Sequence, residues 1–291
     1  MKCKVIVNKD SGNCKKLNVA ALLSMLGNNT QVEFIDCKTN WNAENFDTVV
    51  VCGGDGTLHH AIEKCADKHI FYVPCGTLNE TALTQKQINS VGKVNGQSFC
   101  YVAACGSFTE IGYSAKNNSK KRWKAIAYLP QVFRHYRSHS IAAQLDVDGQ
   151  KFEGNYTLLM VIKSHRCFGF TFNPDYKKTN KTYLLAVKSC GKDNLLNRIK
   201  MFFPFFRIFF CKAKPSIHKN WLLLPFDNLH VTLDKPQTFC CDGEKRVLDT
   251  DLRFATIQLA QPITVLKPPR KARTAKQKAL CNATKDFAFR K

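Results

Sequence analysis

Residues 48–58 carry the feature that most restricts what this chain can fold into. Residues 48–52 (TVVVC) form an apolar, largely β-branched run typical of a buried strand, and residues 53–56 (GGDG) follow without a break. A helical pattern then begins and continues to residue 66. A buried strand that runs through glycines into a helix is half of a strand–helix–strand unit, so its neighbouring strands are predicted to be parallel.

The same alternation of strand and helix patterns fills the first hundred residues. Strand-like runs lie at residues 4–8, 31–37, 48–52 and 70–75, and helical apolar spacing lies between them at residues 17–26 and 58–66. We therefore predict that residues 1–96 form an α/β domain with a doubly wound, mostly parallel sheet.

The pattern changes after residue 96. Residues 140–147 and 151–163 alternate with a period of two around Asp148-Gly149, a typical signal for a tight hairpin. Similar runs follow at residues 183–187, 229–234, 237–241, 252–259 and 263–266. We predict a second, mainly antiparallel β domain over residues 97–266, with one helix at 120–136. Residues 267–291, with nine basic residues and one acid, are predicted to form a basic tail.

Charge is distributed unevenly along the chain. The formal net charge is +22, yet residues 1–100 hold 10 Lys and Arg against 9 Asp and Glu. Residues 101–200 hold 17 against 6, and residues 201–291 hold 17 against 7. A basic second half favours an anionic partner over a merely solvated basic face. Since the sequence has no RNP-type motif, helix-turn-helix pattern or zinc finger, we expect an anionic membrane and no nucleic acid.

The chain contains 14 cysteines but no CxxC pair, and no hydrophobic signal segment follows Met1. Cys3, Cys52, Cys75 and Cys105 lie in strand-like apolar runs, where thiols pack as small apolar groups. We therefore expect reduced core cysteines in a cytoplasmic protein. No apolar run reaches the roughly 18–20 residues needed to span a bilayer, so any membrane contact is expected to be peripheral.

Three polar, glycine-containing turns follow predicted strands and indicate a phosphate site. They are residues 8–12 (NKDSG), 53–57 (GGDGT) and 74–80 (PCGTLNE). Glycines let the backbone approach a phosphate, and a helix that starts next offers unpaired N–H groups. Ligands of open α/β sheets bind at the carboxyl ends of the strands, so we predict one nucleotide cleft rather than ordinary glycine-rich turns. Asp55, the only acid of the 53–57 loop, would suit Mg²⁺.

These motifs resemble the diacylglycerol kinase catalytic-domain superfamily, which includes sphingosine and ceramide kinases, and especially its bacterial diacylglycerol kinases. The family turn N-P-x-S-G is represented by residues 8–12, with Lys9 in place of proline, and G-G-D-G-T is intact at residues 53–57. Residues 76–82 represent G-T-x-N-D-F-A, residues 101–113 the strand that enters the second domain, and residues 242–244 the D-G-E motif. Together these elements extend the resemblance over residues 1–266.

The resemblance implies a phosphofructokinase-like nucleotide site that uses ATP and Mg²⁺. It implies that Glu244 is the general base that takes the proton from a lipid hydroxyl. Without the other motifs, Glu244 would be interpreted as an ordinary acidic residue of a β-turn. Asp55 is implied to be catalytic and to ligate Mg²⁺; we place it in a loop and expect its loss to leave the fold largely intact. The implied nucleotide-binding residues are Asn8, Lys9, Asp10, Ser11, Gly12, Thr39, Gly53, Gly54, Asp55, Gly56, Thr57, Leu58 and Thr77.

Several positions depart from the family pattern. Near the predicted nucleotide site these are His59, His60, Leu78 and Glu80. In the second domain, Lys181 stands where the family's aspartate-rich turn for a structural Mg²⁺ has an acid. A lysine repels a cation, so we predict that this second metal site is absent, with the charge of the lysine in its place.

Residues 195–214 (LLNRIKMFFPFFRIFFCKAK) form an aromatic and basic segment. Six phenylalanines lie between Met201 and Cys211, and bases flank them. This composition predicts either an element in the membrane interface or a core helix packed on the β domain. In the first interpretation Phe205, Phe206 and Phe209 are candidates for lipid contact.

We therefore expect a kinase that transfers the γ-phosphate of ATP to the hydroxyl of diacylglycerol or a similar lipid at an anionic membrane surface. Sphingosine or another lipid alcohol is an alternative substrate. A catalytically silent lipid-binding or nucleic-acid-binding member is the alternative of another class. NAD kinases and phosphofructokinases share a G-G-D-G loop, but their other motifs do not match. The expected partners are the lipid and the membrane, with a homodimer left open.

Overall fold

The computed structural model describes residues 2–14, 17–26, 31–65, 67–76, 79–109, 138–167, 170–171, 173, 176 and 181–267. The chain divides into two compact units: one holds the chain up to Asn89 with the residues from Leu259, and the other holds Ser90–Gln258. The functional domains 1–96, 97–266 and 267–291 stay predictions. The helix predicted at residues 120–136 and residues 268–291 of the tail lie outside the described residues.

The first unit alternates strands and helices. Its elements are β1 (Lys2–Val7), α1 (Val19–Leu26), β2 (Gln31–Asp36), β3 (Thr48–Gly53), α2 (Asp55–Cys65), β4 (His69–Pro74) and α3 (Glu80–Thr84). The strands are all parallel, in the order β4-β3-β1-β2. The predicted parallel sheet is therefore confirmed, and its doubly wound arrangement stays a prediction.

Every residue of β3 is buried, which explains its uninterrupted apolar sequence. Its side chains pack with those of β1, β4 and α1 in one core. Cys3, Cys52 and Cys75 lie in this core, and Cys105 is buried in the second unit. These four cysteines therefore pack as small apolar groups, as predicted.

The described residues of the second unit form antiparallel strands and one helix. Two strands contain residues of both units: β5 (Gln87–Val94) and β18 (Asp251–Val265). The others are β6 (Gln97–Phe99), β7 (Val102–Gly106), β8 (Ile141–Val147), β9 (Gln150–Ile162), β10 (Arg166–Cys167), β11 (Phe170–Thr171), β12 (Thr182–Lys188), α4 (Leu195–Phe209), β13 (Ser216–His218), β14 (Trp221–Phe226), β15 (Asn228–Leu233), β16 (Gln237–Cys241) and β17 (Glu244–Leu248). The main path of strands is β13-β14-β12-β9-β8-β15-β18.

The hairpin predicted at Asp148-Gly149 is confirmed. Both residues have positive φ, 48° and 90°, and the turn pairs Val147 with Gln150. Positive φ at both central residues is the condition for the tight turn that matches strand twist. The two runs predicted at residues 252–259 and 263–266 form one strand, β18.

β9 separates two cores of the second unit. Leu159 and Val161 belong to one, whereas Leu158, Met160 and Ile162 belong to the other. Residues 156–162 are buried on both faces of the strand, so they lack the alternation of more and less exposed residues seen in residues 150–155.

α4 covers the second of these cores with Met201, Phe205 and Ile208. The core-helix interpretation is therefore confirmed for this face, and the prediction that Phe205 contacts lipid is wrong, because its ring is only 7% exposed. Asn194 caps the helix by accepting a hydrogen bond from the N–H of Asn197 at 2.8 Å. Within the described ranges, no helix has the length and hydrophobicity required to cross a bilayer.

Candidate active site

The site begins where β3 passes into α2. β3 ends at Gly53 and α2 begins at Asp55, so Gly54 alone separates strand from helix. The N–H of Leu58 donates to the carbonyl of Gly54 at 3.1 Å and closes the first helical turn. The N–H groups of Gly56 and Thr57 precede that bond and have no acceptor within the helix, which makes this end suited to an anion.

Backbone hydrogen bonds join the three predicted phosphate turns. The N–H groups of Cys75 and Gly76 both donate to the carbonyl of Gly53, at 2.7 and 3.0 Å. The N–H of Asn13 donates to the carbonyl of Cys75 at 2.8 Å, and its side-chain amide donates to the carbonyl of Gly76 at 3.0 Å. Asn13 lies just outside the predicted set, yet it is the residue that fixes the first turn to the third.

Gly54 and Gly76 lie against each other, with side-chain atoms of Asn79 and Ser11 beside them, and we call this pair the glycine cradle. A Cβ atom on Gly76 would lie 2.7 Å from the Cα of Gly54, which is closer than real Cβ contacts allow. A Cβ on Gly54 would lie 3.4 Å from the Cα of Gly76 and 3.9 Å from the Oγ of Ser11. Glycine at position 76 therefore lets the two turns pack this closely, and neither glycine carries a side chain that would keep a phosphate from the main chain.

Asn8 and Thr57 connect the first turn to α2. The side-chain amide of Asn8 donates to the Oγ1 of Thr57 at 2.8 Å, and its backbone N–H donates to the carbonyl of Cys52 at 2.9 Å. The Oδ1 of Asn8 accepts from the N–H of Asp10 at 3.1 Å. These bonds hold Thr57 in one orientation beside the cradle.

Lys9, Asp10 and Thr39 lie at the same edge of the sheet but farther from the glycines. Lys9 lies 3.5 Å from the carboxylate of Asp36, and Lys38 forms an ion pair with Asp10. Thr39 donates its hydroxyl to the carbonyl of Asp36 at 2.7 Å. The segment after β2 is thus tied to the first turn by two ion pairs.

Asp55 is the first residue of α2 rather than a loop residue, and it is buried. Its Oδ1 accepts a hydrogen bond from the Tyr72 hydroxyl at 3.3 Å, and its Oδ2 accepts one from the N–H of Glu80 at 2.8 Å. The expectation that its loss leaves the fold largely intact therefore needs correction. A carboxylate oxygen carries two lone pairs, so accepting one hydrogen bond does not prevent it from ligating Mg²⁺ directly or through water.

The remaining predicted positions differ in what they can contact. Gly12 is exposed in the first turn. The side chain of Leu58 is fully buried and its N–H is bonded within the helix. Thr77 and Leu78 lie outside the described residues.

The altered positions near the cradle have structural roles. His59 is buried, and its Nε2 lies 3.1 Å from the Oε1 of Glu63 one turn later. Glu80 contributes its backbone N–H to Asp55, and a backbone donor is the same whichever acid stands at position 80. His60 is exposed and meets the ring of Trp41 edge-on at 6.3 Å.

The thiols of Cys14 and Cys75 are buried beside the joined turns. The Sγ of Cys14 lies 3.3 Å from the carbonyl oxygen of Cys52, to which it donates. A hydrogen bond with Cys75 and burial raise the pKa of the Cys14 thiol above its ordinary value. Cys14 is therefore a neutral packing group here, not a nucleophile.

In the second unit, Asp242 and Gly243 form the tight turn between β16 and β17. Their φ angles are 51° and 91°, and Cys241 pairs with Glu244 across the turn. The buried Asp242 carboxylate accepts hydrogen bonds from the N–H groups of Cys100, Tyr101 and Val102. Asp242 thus fixes this hairpin to the start of β7. Sequence reasoning missed this role, because nothing local indicates which distant N–H groups a turn carboxylate will meet.

Glu244 is the first residue of β17, and its side chain is 53% exposed. The Nη2 of Arg246 lies 3.8 Å from Glu244 Oε2. The carboxylate is therefore accessible to a substrate hydroxyl, while its backbone is held by the Asp242 turn. Such a group can accept a proton.

Lys181 forms an ion pair with an acid of the second unit. Its Nζ lies 3.0 Å from the carboxylate of Asp227, and this hydrogen bond raises the pKa of the lysine. Asp175 and residues 177–180 lie outside the described residues, so the absence of the second metal site stays a prediction.

Residues 2–96, which include this strand, cradle and helix, match the sequence model of the family described as "Diacylglycerol kinase catalytic domain". These residues therefore resemble the catalytic domain of this family. The diacylglycerol kinases of Staphylococcus aureus strains JH9 and Newman are each 24% identical to it over 167 residues, 50% of this chain and 53% of theirs. The chain thus matches these curated relatives over about half of their length.

A solved diacylglycerol kinase structure from Bacillus anthracis str. Sterne shares the fold. It has a TM-score of 0.60 and 18% identity, over 90% of this chain and 96% of that one. The predicted resemblance to the diacylglycerol kinase superfamily is confirmed by the match over residues 2–96.

Proposed function

We propose that this chain is an ATP-dependent lipid kinase, which transfers the γ-phosphate of ATP to the hydroxyl of diacylglycerol or a closely similar lipid. The glycine cradle of Gly54 and Gly76, beside Asp55 at the start of α2, is the observation that carries the proposal. The family of residues 2–96 and the description of the relatives as diacylglycerol kinases support the substrate class.

Main-chain groups would hold the phosphates of ATP. The glycines place no side chain between the phosphates and the backbone, and the N–H groups of Gly56 and Thr57 would face an anion at the positive end of α2. Asn8 fixes the Thr57 side chain, and Lys9, which is paired with Asp36, lies at the edge of the site. Mg²⁺, when bound, would neutralise phosphate charge, and Asp55 is the residue we assign to hold it.

Phosphoryl transfer needs an acceptor for the hydroxyl proton, and we assign that role to Glu244. The lipid oxygen forms a bond to the γ-phosphorus while the bond from that phosphorus to the bridging oxygen of ADP breaks. The hydroxyl proton passes to the half-exposed carboxylate of Glu244. Asp242 keeps the hairpin in place but does not take part, because its carboxylate is committed to three backbone N–H groups.

A lipid substrate places the reaction at a membrane surface, which we propose is anionic and cytoplasmic. The net charge of +22 supports this, since nearly all of it lies in residues 101–291. Bases close to an anionic leaflet contribute about 1 kcal/mol each, and salt screens them. Phosphorylation of diacylglycerol would yield phosphatidic acid, so the activity would belong to phospholipid synthesis.

A lipid panel with γ-labelled Mg-ATP tests the proposal. Diacylglycerol, sphingosine and ceramide are offered in mixed micelles to the wild type, to Glu244→Gln and to Glu153→Gln, an exposed glutamate on β9 that serves as control. We expect labelled phosphatidic acid from the wild type and the control, and at least a hundredfold less from Glu244→Gln. Absence of product with every lipid would overturn the proposal in favour of a silent lipid-binding protein.

A further inference from the structure

α4 has two apolar faces, and only one of them is buried. Met201, Pro204, Phe205 and Ile208 are buried. A second set of large apolar side chains is exposed, with exposed fractions from 43% to 76%. This exposed strip consists of Leu195, Leu196, Ile199, Phe202, Phe203, Phe206 and Phe210.

The exposed strip is continuous along the helix. Successive helical residues are about 100° apart, so its seven members fall within an arc of about 120°, opposite the buried face. Phe206 stacks on Phe202 at 5.6 Å and on Phe210 at 5.4 Å between ring centroids. The result is an apolar ridge about 22 Å long, aromatic in its second half, that the core of the described residues leaves exposed.

Basic residues border the exposed strip on both sides. The same helical spacing places Arg198 at one edge and Lys200 and Arg207 at the other. Lys212 and Lys214 follow the helix. Asp193, next to the N-cap, is paired with Arg198 at 2.6 Å and offsets its charge, so the positive charge of the helix lies mainly at the edge that holds Lys200 and Arg207.

We propose that the exposed strip of α4 inserts into an anionic phospholipid bilayer, with the helix lying in the plane of the interface. The phenylalanine rings would enter the acyl boundary, and the bordering bases would meet lipid phosphates. This inference rests on the proposed lipid kinase function, since it gives α4 the task of bringing the enzyme to a substrate that resides in the bilayer.

Charge favours a bilayer over a second copy of this chain. In a two-fold dimer the same strip would face itself, so the bases at its edges would approach like charges. An anionic bilayer can contact the apolar strip and the bases beside it at the same time. If the strip instead mediates self-association, the strip variant described next should differ from the wild type in oligomeric state.

Vesicle co-sedimentation tests the proposal. The strip variant changes Phe202, Phe203, Phe206 and Phe210 to serine, and the control variant changes the exposed Val247 and Ile257 to serine. Vesicles contain phosphatidylcholine with or without phosphatidylglycerol. We expect wild type and control to bind only the anionic vesicles, less so at high salt, and the strip variant to bind at least tenfold more weakly.

Four outcomes would overturn the inference: wild-type binding by the strip variant, equal binding to neutral vesicles, a lowered melting temperature of the strip variant, or an altered oligomeric state of the strip variant. Phosphorylation of a short-chain, water-soluble diacylglycerol should be unaffected in the strip variant. If the wild type does not phosphorylate this soluble lipid, the proposed kinase activity is contradicted. The vesicle-binding results would still decide whether α4 inserts into the bilayer.

A fluorescent label on Cys211 provides a measurement that needs no change to the strip. Cys211 follows the C-cap Phe210 and is the one exposed cysteine of the described residues. Cys37, Cys190 and Cys281 are first replaced by serine to leave one reactive thiol. We expect the emission of an environment-sensitive dye to shift to the blue with anionic vesicles, and an unchanged spectrum would contradict insertion.

Discussion

The Cα of Gly54 lies where a side chain on Gly76 would need to be, 2.7 Å from the position of its Cβ. Both atoms belong to backbone that the hydrogen bonds of Gly53 hold in place, so neither can move away cheaply. Gly76→Ala should therefore disturb the cradle, lowering ATP affinity at least tenfold and stability by about 1–3 kcal/mol. Calorimetry with Mg-ATP and thermal unfolding measure the two effects.

Gly154→Ala is the matched control for the cradle. Gly154 lies in β9, and a Cβ there would meet nothing closer than 3.9 Å. We expect wild-type ATP affinity in this variant. Unchanged ATP affinity in Gly76→Ala as well would show that phosphates do not approach the cradle.

Two substitutions of Asp55 separate its charge from its hydrogen bonds. Asp55→Asn keeps an oxygen that can accept from the N–H of Glu80, so stability should change little while phosphorylation falls at least a hundredfold. Asp55→Ala leaves that buried N–H without its acceptor and should lose about 1–3 kcal/mol of stability in addition. Urea unfolding and the labelled-ATP assay measure the two quantities.

Tyr72→Phe is the control for Asp55. It removes the hydroxyl that donates to Oδ1 at 3.3 Å but leaves the carboxylate charge intact. Activity should stay within a few-fold of the wild type. If Tyr72→Phe lost activity as completely as Asp55→Asn, the hydrogen-bond network rather than the negative charge would be the essential feature.

Neighbouring acids of the D-G-E turn should respond in opposite ways. Glu244→Gln should reduce turnover by roughly 10²–10⁴-fold with little effect on ATP affinity or melting temperature, because its side chain is half exposed. Asp242→Ala should instead lower stability by about 3 kcal/mol or more, because three backbone N–H groups lose their acceptor. A Glu244→Gln variant that keeps most of its turnover would remove Glu244 as the base.

The sequence predicted those parts of the fold that depend on local pattern. The buried run before Gly53, the hairpin at Asp148-Gly149 and the parallel sheet follow from periodicity, turn chemistry and strand–helix alternation. The three turns could be placed at one edge because the carboxyl ends of parallel strands meet there.

The sequence could not predict contacts made between distant segments. Asp242 reaches N–H groups some 140 residues away, and Asp55 is bonded by Tyr72 and Glu80 through tertiary packing. Composition showed that the phenylalanines of α4 serve either a core or a lipid surface. The helix has one buried and one exposed apolar face. Only the structure shows that Phe205 lies on the buried face and Phe206 on the exposed one.

Lys163 makes stability depend on pH in the alkaline range. Its side chain is 1% exposed, and its Nζ has no hydrogen-bond partner within the described part of the chain. Burial lowers the pKa of this amine from 10.5 to about 8. Below pH 8 the folded and unfolded chains both carry the proton, so the full cost of burying the charge applies.

Between about pH 8 and 10.5 the folded chain releases that proton while the unfolded chain retains it, so stability should rise with pH. Over this pH interval the free energy of unfolding should rise by about 3 kcal/mol. Lys163→Met removes the charge but keeps the length of the side chain, and it should be more stable than the wild type at pH 7, with the difference shrinking toward pH 10.5. Urea unfolding at several pH values, with the exposed Lys151→Met as control, measures this. Parallel stability curves for wild type and Lys163→Met would mean that Lys163 carries no buried charge.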